Sequence, residues 1–114
     1  MFLFRRGNNP SFQKLSIDEY KQNFNKKTKH KLIDVREKSE YKNGHLPGAV
    51  NIPLSQIRDH ADKLPRDIPV VLVCATGNRS GMAARSLSKA GFENLYNLMG
   101  GTMAWSRKGY KITR

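Results

Sequence analysis

Residues 68–81 read IPVVLVCATGNRSG. The first half, up to Val73, is the most apolar run of the chain, broken only by Pro69. A continuous run rich in β-branched residues, with no polar alternation, fits a central parallel strand covered on both faces. The second half supplies a glycine-containing loop and then a helix. Met82, Ala83, Leu87 and Ala90 carry the helical spacing on to Gly91, so a helix is predicted from about Ser80. Cys74, the only cysteine, falls where the strand gives way to the loop. In open α/β sheets ligands bind outside the carboxyl ends of the strands, which makes Cys74 the first candidate for chemistry.

Working outward, the same alternation of strand and helix recurs. Residues 12–15 form a possible short edge strand. Ser16 and Glu19 have capping-box spacing and predict a helix over about 17–24. Residues 31–35 are β-like, 37–42 suggest a short helix stopped by Asn43-Gly44, and 49–52 form a brief strand ended by Pro53. Leu54, Ile57, Ala61 and Leu64 recur at helical spacing and predict a helix over 54–64. Residues 95–98 make a fifth strand, and Gly100-Gly101 leads into a last helix near 102–107. The pattern is that of an α/β fold with a mostly parallel sheet.

The 114 residues fit one domain, expected over 12–114 behind a poorly ordered N-terminal arm, 1–11. One cysteine cannot close an internal disulfide and is too few for a cysteine-based zinc site, so no metal or cofactor is expected. The default compartment is reducing, and a cytoplasmic location is expected. No apolar run approaches a membrane span, and the opening MFLFRRGNNP lacks a signal-peptide pattern. The net charge is +12, from 21 basic and 9 acidic residues. It gathers at Lys26, Lys27, Lys29 and Lys31, and again at Arg107, Lys108, Lys111 and Arg114. Neither cluster interleaves aromatics as a surface for single strands does. The charge reads as a solvated basic surface, with no nucleic-acid or membrane partner expected.

The loop itself is suited to an anion. A helix N-terminus and nearby cations lower a thiol's pKa, and the backbone N–H groups of residues 75–79 can turn inward as an anion nest. Gly77 permits the dihedrals of such a turn. Arg79 would add a full charge if its side chain turned inward, and the Thr76 and Ser80 hydroxyls could bond the sulfur, although Ser80 also suits a helix N-cap. A cysteine phosphatase uses the same design with five residues between Cys and Arg. Here only four separate Cys74 from Arg79, and Val73 stands where such phosphatases usually carry histidine. The smaller ring fits a sulfur atom better than a phosphate.

Four motifs in order resemble a single-domain rhodanese, a sulfurtransferase: Leu32-Ile33-Asp34-Val35-Arg36; Glu40-Tyr41 with the run from Gly44 to Pro53; Cys74-Ala75-Thr76-Gly77-Asn78-Arg79-Ser80; and the run from Asn97 to Trp105. The resemblance spans about 12–109. It implies a five-stranded parallel sheet with helices on both faces, and a Cys74 that carries sulfur as a persulfide. A small anionic donor such as thiosulfate, or a persulfide, would load it; cyanide or a thiol would take the sulfur, with ping-pong kinetics. Ala75, Thr76, Gly77, Asn78, Arg79 and Ser80 would bind the sulfur and its developing charge. Asp34 is expected to support loop amides or Arg79, and Arg36 to pair with Glu37 or Glu40. His45 looks structural, and Trp105, Met82 and Met103 look like core. Arg79, Arg85 and Lys89 could form a positive rim that aids encounter with an anionic donor. The alternatives are a sulfur-relay module fed by a protein partner, a phosphatase of the same fold, and a nonreactive interaction domain.

Overall fold

The computed structural model describes residues 12–24 and 28–114. The expected arm, and Lys26 and Lys27 of the first basic cluster, lie outside the described residues. The strands are β1 (Gln13–Leu15), β2 (Lys31–Asp34), β3 (Val50–Asn51), β4 (Val70–Val73) and β5 (Leu95–Leu98), and the helices are α1 (Ile17–Asn23), α2 (Lys38–Lys42), α3 (Asn78–Lys89) and α4 (Gly101–Arg107). The sheet order is β1-β5-β4-β2-β3 and every pairing is parallel. The mostly parallel sheet expected from sequence is therefore wholly parallel among the described residues.

β4 holds the centre, with all four residues buried. Its two faces serve two cores. Leu72 and Val70 pack with Ile33, Ile57, Ala84, Leu87 and Leu95 beneath α3. Val71 and Val73 pack with Leu32, Leu98, Tyr20 and Trp105 beneath α1 and α4. That two-sided burial is why β4 shows no polar alternation.

The local signals at the helix ends act as expected. Ser16 Oγ accepts the Glu19 N–H at 3.0 Å, and Glu19 accepts the Ser16 N–H at 2.8 Å, closing the capping box of α1. The expected helix over 54–64 is instead two 3₁₀ turns, Leu54–Gln56 and Ala61–Lys63. The apolar residues fall in pairs three apart, 54 with 57 and 61 with 64. Three-residue spacing aligns side chains on a 3₁₀ turn, so Ile57, Ala61 and Leu64 are buried without a continuous α-helix. α3 starts at Asn78, two residues before the sequence suggests.

Register places the site. Asp34 lies beside Val73, and the Val35 N–H donates to the Val73 carbonyl at 2.9 Å. The chain leaves β2 toward β3 on one side and leaves β4 toward β5 on the other. The carboxyl ends of β2 and β4 thus flank the switch point of the sheet, where crevices open in this class of fold.

Candidate active site

Cys74 follows the last residue of β4 and is 1% exposed. Two structures shape the loop behind it. Gly77 sits at φ 116° as the N-cap of α3, a conformation that glycine adopts without steric cost. On the other side, α4 takes hold of the loop carbonyls: the Thr102 N–H donates to Cys74 O at 2.8 Å and the Met103 N–H to Ala75 O at 3.0 Å. Gly101 permits this approach, since a Cβ there would lie 2.2 Å from Cys74 O. With its carbonyls drawn toward α4, the loop turns N–H groups toward the sulfur.

The Gly77 N–H donates to Cys74 Sγ at 3.1 Å, and the Ser80 hydroxyl lies 3.4 Å from the same atom. Burial, the largest single influence on the thiol, pushes its pKa up. Bonds from the Ser80 hydroxyl and from the backbone N–H groups of Ser80, Gly77 and Thr76 together outweigh it, leaving the thiol below its ordinary value. Ser80 is a fully buried residue inside α3; the N-cap role belongs to Gly77. Thr76 and Asn78 are exposed at the rim, and Thr76 reaches the sulfur electrostatically through its N–H.

Arg79 does not turn inward. Its guanidinium grips Glu40 of α2 with two bonds, Nη1 to Oε1 at 2.7 Å and Nη2 to Oε2 at 3.0 Å. Glu40 is itself fixed by the Glu37 N–H at 2.9 Å. The Arg79 bond leads in lowering the Glu40 carboxyl to about 2, against a smaller opposing effect of burial. Glu40 in turn raises the Arg79 guanidinium. The expected positive rim is thereby reduced. Arg85 stands over the Phe12 ring, 5.9 Å from its centroid.

The expected partners of Asp34 and Arg36 are also corrected: the two pair with each other. Arg36 donates from Nε to Asp34 Oδ1 at 3.0 Å, from Nη2 to Oδ2 at 2.7 Å, and from its backbone N–H to Oδ1 at 3.0 Å. A further bond runs from Nη2 to Gly44 O at 2.7 Å. Both residues are buried, so the carboxylate is consumed within β2 and its following turn. Glu37 and Glu40 are left to the α2 box and Arg79.

His45 is structural, stacked on Tyr41 at 3.7 Å and bonded to Tyr41 O at 2.8 Å. Trp105 is core, but Met82 and Met103 are 55% and 51% exposed. Met103 lines a cavity of about 290 Å³ beside the loop, with Arg36, Glu40, Ala75, Thr102 and Arg114. A larger cavity of about 560 Å³, lined by Tyr20, Phe24, His30 and Trp105, involves none of residues 74–80.

Two participants escaped the sequence. One is Glu40 as the partner of Arg79. The other is Asn97 on β5, a buried amide bonded to both Gly77 O and Ser80. An asparagine inside the otherwise apolar Leu95-Tyr96-Asn97-Leu98 was the available signal, because a buried polar side chain must find partners. Among the described residues no group of three or more His, Cys, Asp or Glu could hold a metal ion, and no helix is long and apolar enough to cross a membrane.

Residues 16–108 match the Rhodanese-like domain family. The chain is 35% identical over 101 residues to a putative sulfur carrier protein, YrkF, of Bacillus subtilis, covering 89% of this chain and 55% of that protein. It thus spans about half the length of that relative. It is 36% identical over 81 residues to a sulfurtransferase of Allochromatium vinosum, covering 71% of this chain and 76% of that one. Among solved structures, the rhodanese-related protein of Thermoplasma volcanium superposes with a TM-score of 0.80 at 31% identity, covering 90% and 98% of the two chains.

Proposed function

The chain belongs to the rhodanese-like family, whose sulfur-carrier and sulfurtransferase relatives support a role in sulfur transfer, and from that premise we propose that Cys74 carries sulfane sulfur as a persulfide between a donor and a thiophilic acceptor. The thiolate attacks the outer sulfur of thiosulfate, or the terminal sulfur of a persulfide. The donor's sulfur–sulfur bond breaks, and sulfite or a thiolate leaves with the electron pair. Cyanide or an acceptor thiolate then attacks the terminal sulfur on Cys74. Thiocyanate or a new persulfide departs, and the Cys74 thiolate returns. The acceptor gains the sulfur that the donor loses, and no outside oxidant is needed.

The observation that carries this is the donor set trained on one sulfur atom: the Gly77 N–H at 3.1 Å and the Ser80 hydroxyl at 3.4 Å. It favours the thiolate before loading and stabilises the leaving thiolate when the acceptor attacks. Ala75, Thr76, Gly77, Asn78, Arg79 and Ser80 serve through the backbone that forms this ring. Asp34 and Arg36 serve as a fixed support at the end of β2. The cavity beside Ala75 and Met103 gives the body of a donor or acceptor a place to rest.

The fate of Arg79 favours a second reading within the same chemistry. With its charge matched by Glu40, Arg79 offers little attraction to a small dianion. That supports delivery by a partner's persulfide in a cytoplasmic relay; the Bacillus subtilis relative is named a putative sulfur carrier. Steady-state thiocyanate formation decides between them. Parallel double-reciprocal lines with thiosulfate and cyanide, abolished in Cys74→Ser, support small-molecule turnover. Silence with thiosulfate but transfer from a protein persulfide supports the relay, and silence with both overturns the proposal.

A further inference from the structure

Behind the sulfur lies a hydroxyl with one proton and two acceptors. Ser80 Oγ is 3.4 Å from Cys74 Sγ and in closer contact with Asn97 Oδ1. Asn97 cannot simply swing away. Its Nδ2 donates to the Gly77 carbonyl at 3.1 Å, and the residue is 4% exposed. That bond fixes which end of the amide faces Ser80. Gly77 is also the residue whose own N–H meets the sulfur at 3.1 Å. One side chain on β5 therefore touches two of the residues that bond Cys74, Ser80 at its hydroxyl and Gly77 at its carbonyl. α3 leaves room for it, since a Cβ on Gly81 would lie 3.2 Å from Asn97 Nδ2.

We propose that Asn97 is a positioning residue for Cys74: its amide oxygen holds the Ser80 proton until the sulfur becomes anionic, and its amide N–H holds Gly77 so that the Gly77 N–H stays aimed at the sulfur. A bond to an ionised acceptor is roughly twice as strong as one between neutral groups. With a neutral thiol the Ser80 proton rests on Asn97; with a thiolate it turns to the sulfur. The donor set thus strengthens when charge appears and relaxes when it leaves, which suits a sulfur that alternates between charged and neutral states. Among the described residues, these charges on the neighbouring elements have partners: Asp34 pairs with Arg36 after β2, Glu40 of α2 pairs with Arg79 of α3, and Arg114, across the cavity beside Ala75, donates to the Asn43 carbonyl. β5 and the first turn of α4 bring no charged residue.

This inference rests on Cys74 as the reactive sulfur, but it is tested without any sulfur donor. The rate of Cys74 alkylation by iodoacetamide is followed against pH, with thermal melting as the check on folding. Asn97→Asp keeps an acceptor for Ser80 but, once ionised, cannot donate to Gly77. The alkylation midpoint is expected to rise by a unit or more, which is about a tenfold slower rate at fixed pH below it. In a Ser80→Ala background the rise shrinks, because the shared proton is gone. Gly81→Ala leaves Asn97 and Ser80 in place yet crowds Nδ2, and is expected to slow alkylation about two- to fivefold in a folded protein. An unchanged midpoint in folded Asn97→Asp and Gly81→Ala overturns the proposal. So does a rise of equal size with and without Ser80. If Asn97→Asp does not fold, an unchanged midpoint in Gly81→Ala overturns it alone.

Discussion

Gly101→Ala isolates the contact that turns the loop amides toward the sulfur. Two costs arise. Gly101 has φ 58°, and a left-handed conformation costs an L-residue roughly 1–2 kcal/mol. The new Cβ would also stand 2.2 Å from Cys74 O and 2.7 Å from Ala75 O, so the segments must part by roughly 1 Å to reach ordinary contact. Parting them strains the bonds from Thr102 and Met103 at 2.8 and 3.0 Å, and a buried carbonyl left unbonded costs about 1–3 kcal/mol. Gly48→Ala is the control: φ is 86° and nothing lies within 4 Å of its Cβ, so only the conformational cost applies. The expected losses are about 1–2 kcal/mol for Gly48→Ala and about 2–5 kcal/mol for Gly101→Ala. At about 4 °C per kcal/mol for a chain of this size, calorimetry separates the two readily. Alkylation of Cys74 slows in Gly101→Ala alone. Equal melting temperatures and equal alkylation rates in the two variants would refute the argument that α4 shapes the loop.

Other consequences follow from the pairings. Ser80→Ala removes the hydroxyl 3.4 Å from the sulfur and should raise the alkylation midpoint of Cys74 by about one unit; an unchanged pH profile would mean the backbone alone sets it. Asp34→Ala leaves Arg36 charged and buried, so denaturant unfolding should show a loss of about 3–5 kcal/mol; a loss under 1 kcal/mol would contradict the buried pairing. Glu40→Gln should cost about 0.5–1 kcal/mol at neutral pH, because the pair is about a third exposed and screened. The Glu40 carboxyl lies at about 2 in the folded chain, below its ordinary 4.5. Its stabilisation is therefore present above about 4.5 and fades as pH falls toward 2, so the wild-type and Glu40→Gln unfolding curves should converge there. The same variant frees Arg79 and should make thiosulfate loading faster and more sensitive to salt; a flat salt dependence would show that Arg79 does not face the donor.

What the sequence disclosed was local. Ser16 and Glu19 sit three apart, and their box formed because both partners lie within one turn. The buried run of β4 and the glycine loop after it needed no distant information either. Where the choice of partner depended on tertiary packing, sequence spacing misled. Arg36 had Glu37 and Glu40 within reach, yet Asp34, two residues back and beside the same buried turn, took it. An inward turn of Arg79 stays open in the sequence because nothing local shows that α2 carries Glu40 to its side. The spacing from Leu54 to Leu64 satisfies an α-helix and two 3₁₀ turns alike. Met82 and Met103 are apolar but stand on outward faces that only the docked helices define. Asn97 was visible as a polar residue in an apolar strand, but its two partners come from a loop and a helix about twenty residues earlier.

The central claim is that Cys74 holds a transferable sulfur, and intact-mass spectrometry tests it most directly. The reduced protein is incubated with thiosulfate, or with a protein persulfide, then weighed before and after cyanide, beside Cys74→Ser treated alike. The predicted result is the gain of one sulfur atom in the wild type only, removed by cyanide with release of thiocyanate. A mass that stays unchanged with both donors, or a gain that persists in Cys74→Ser, would contradict it.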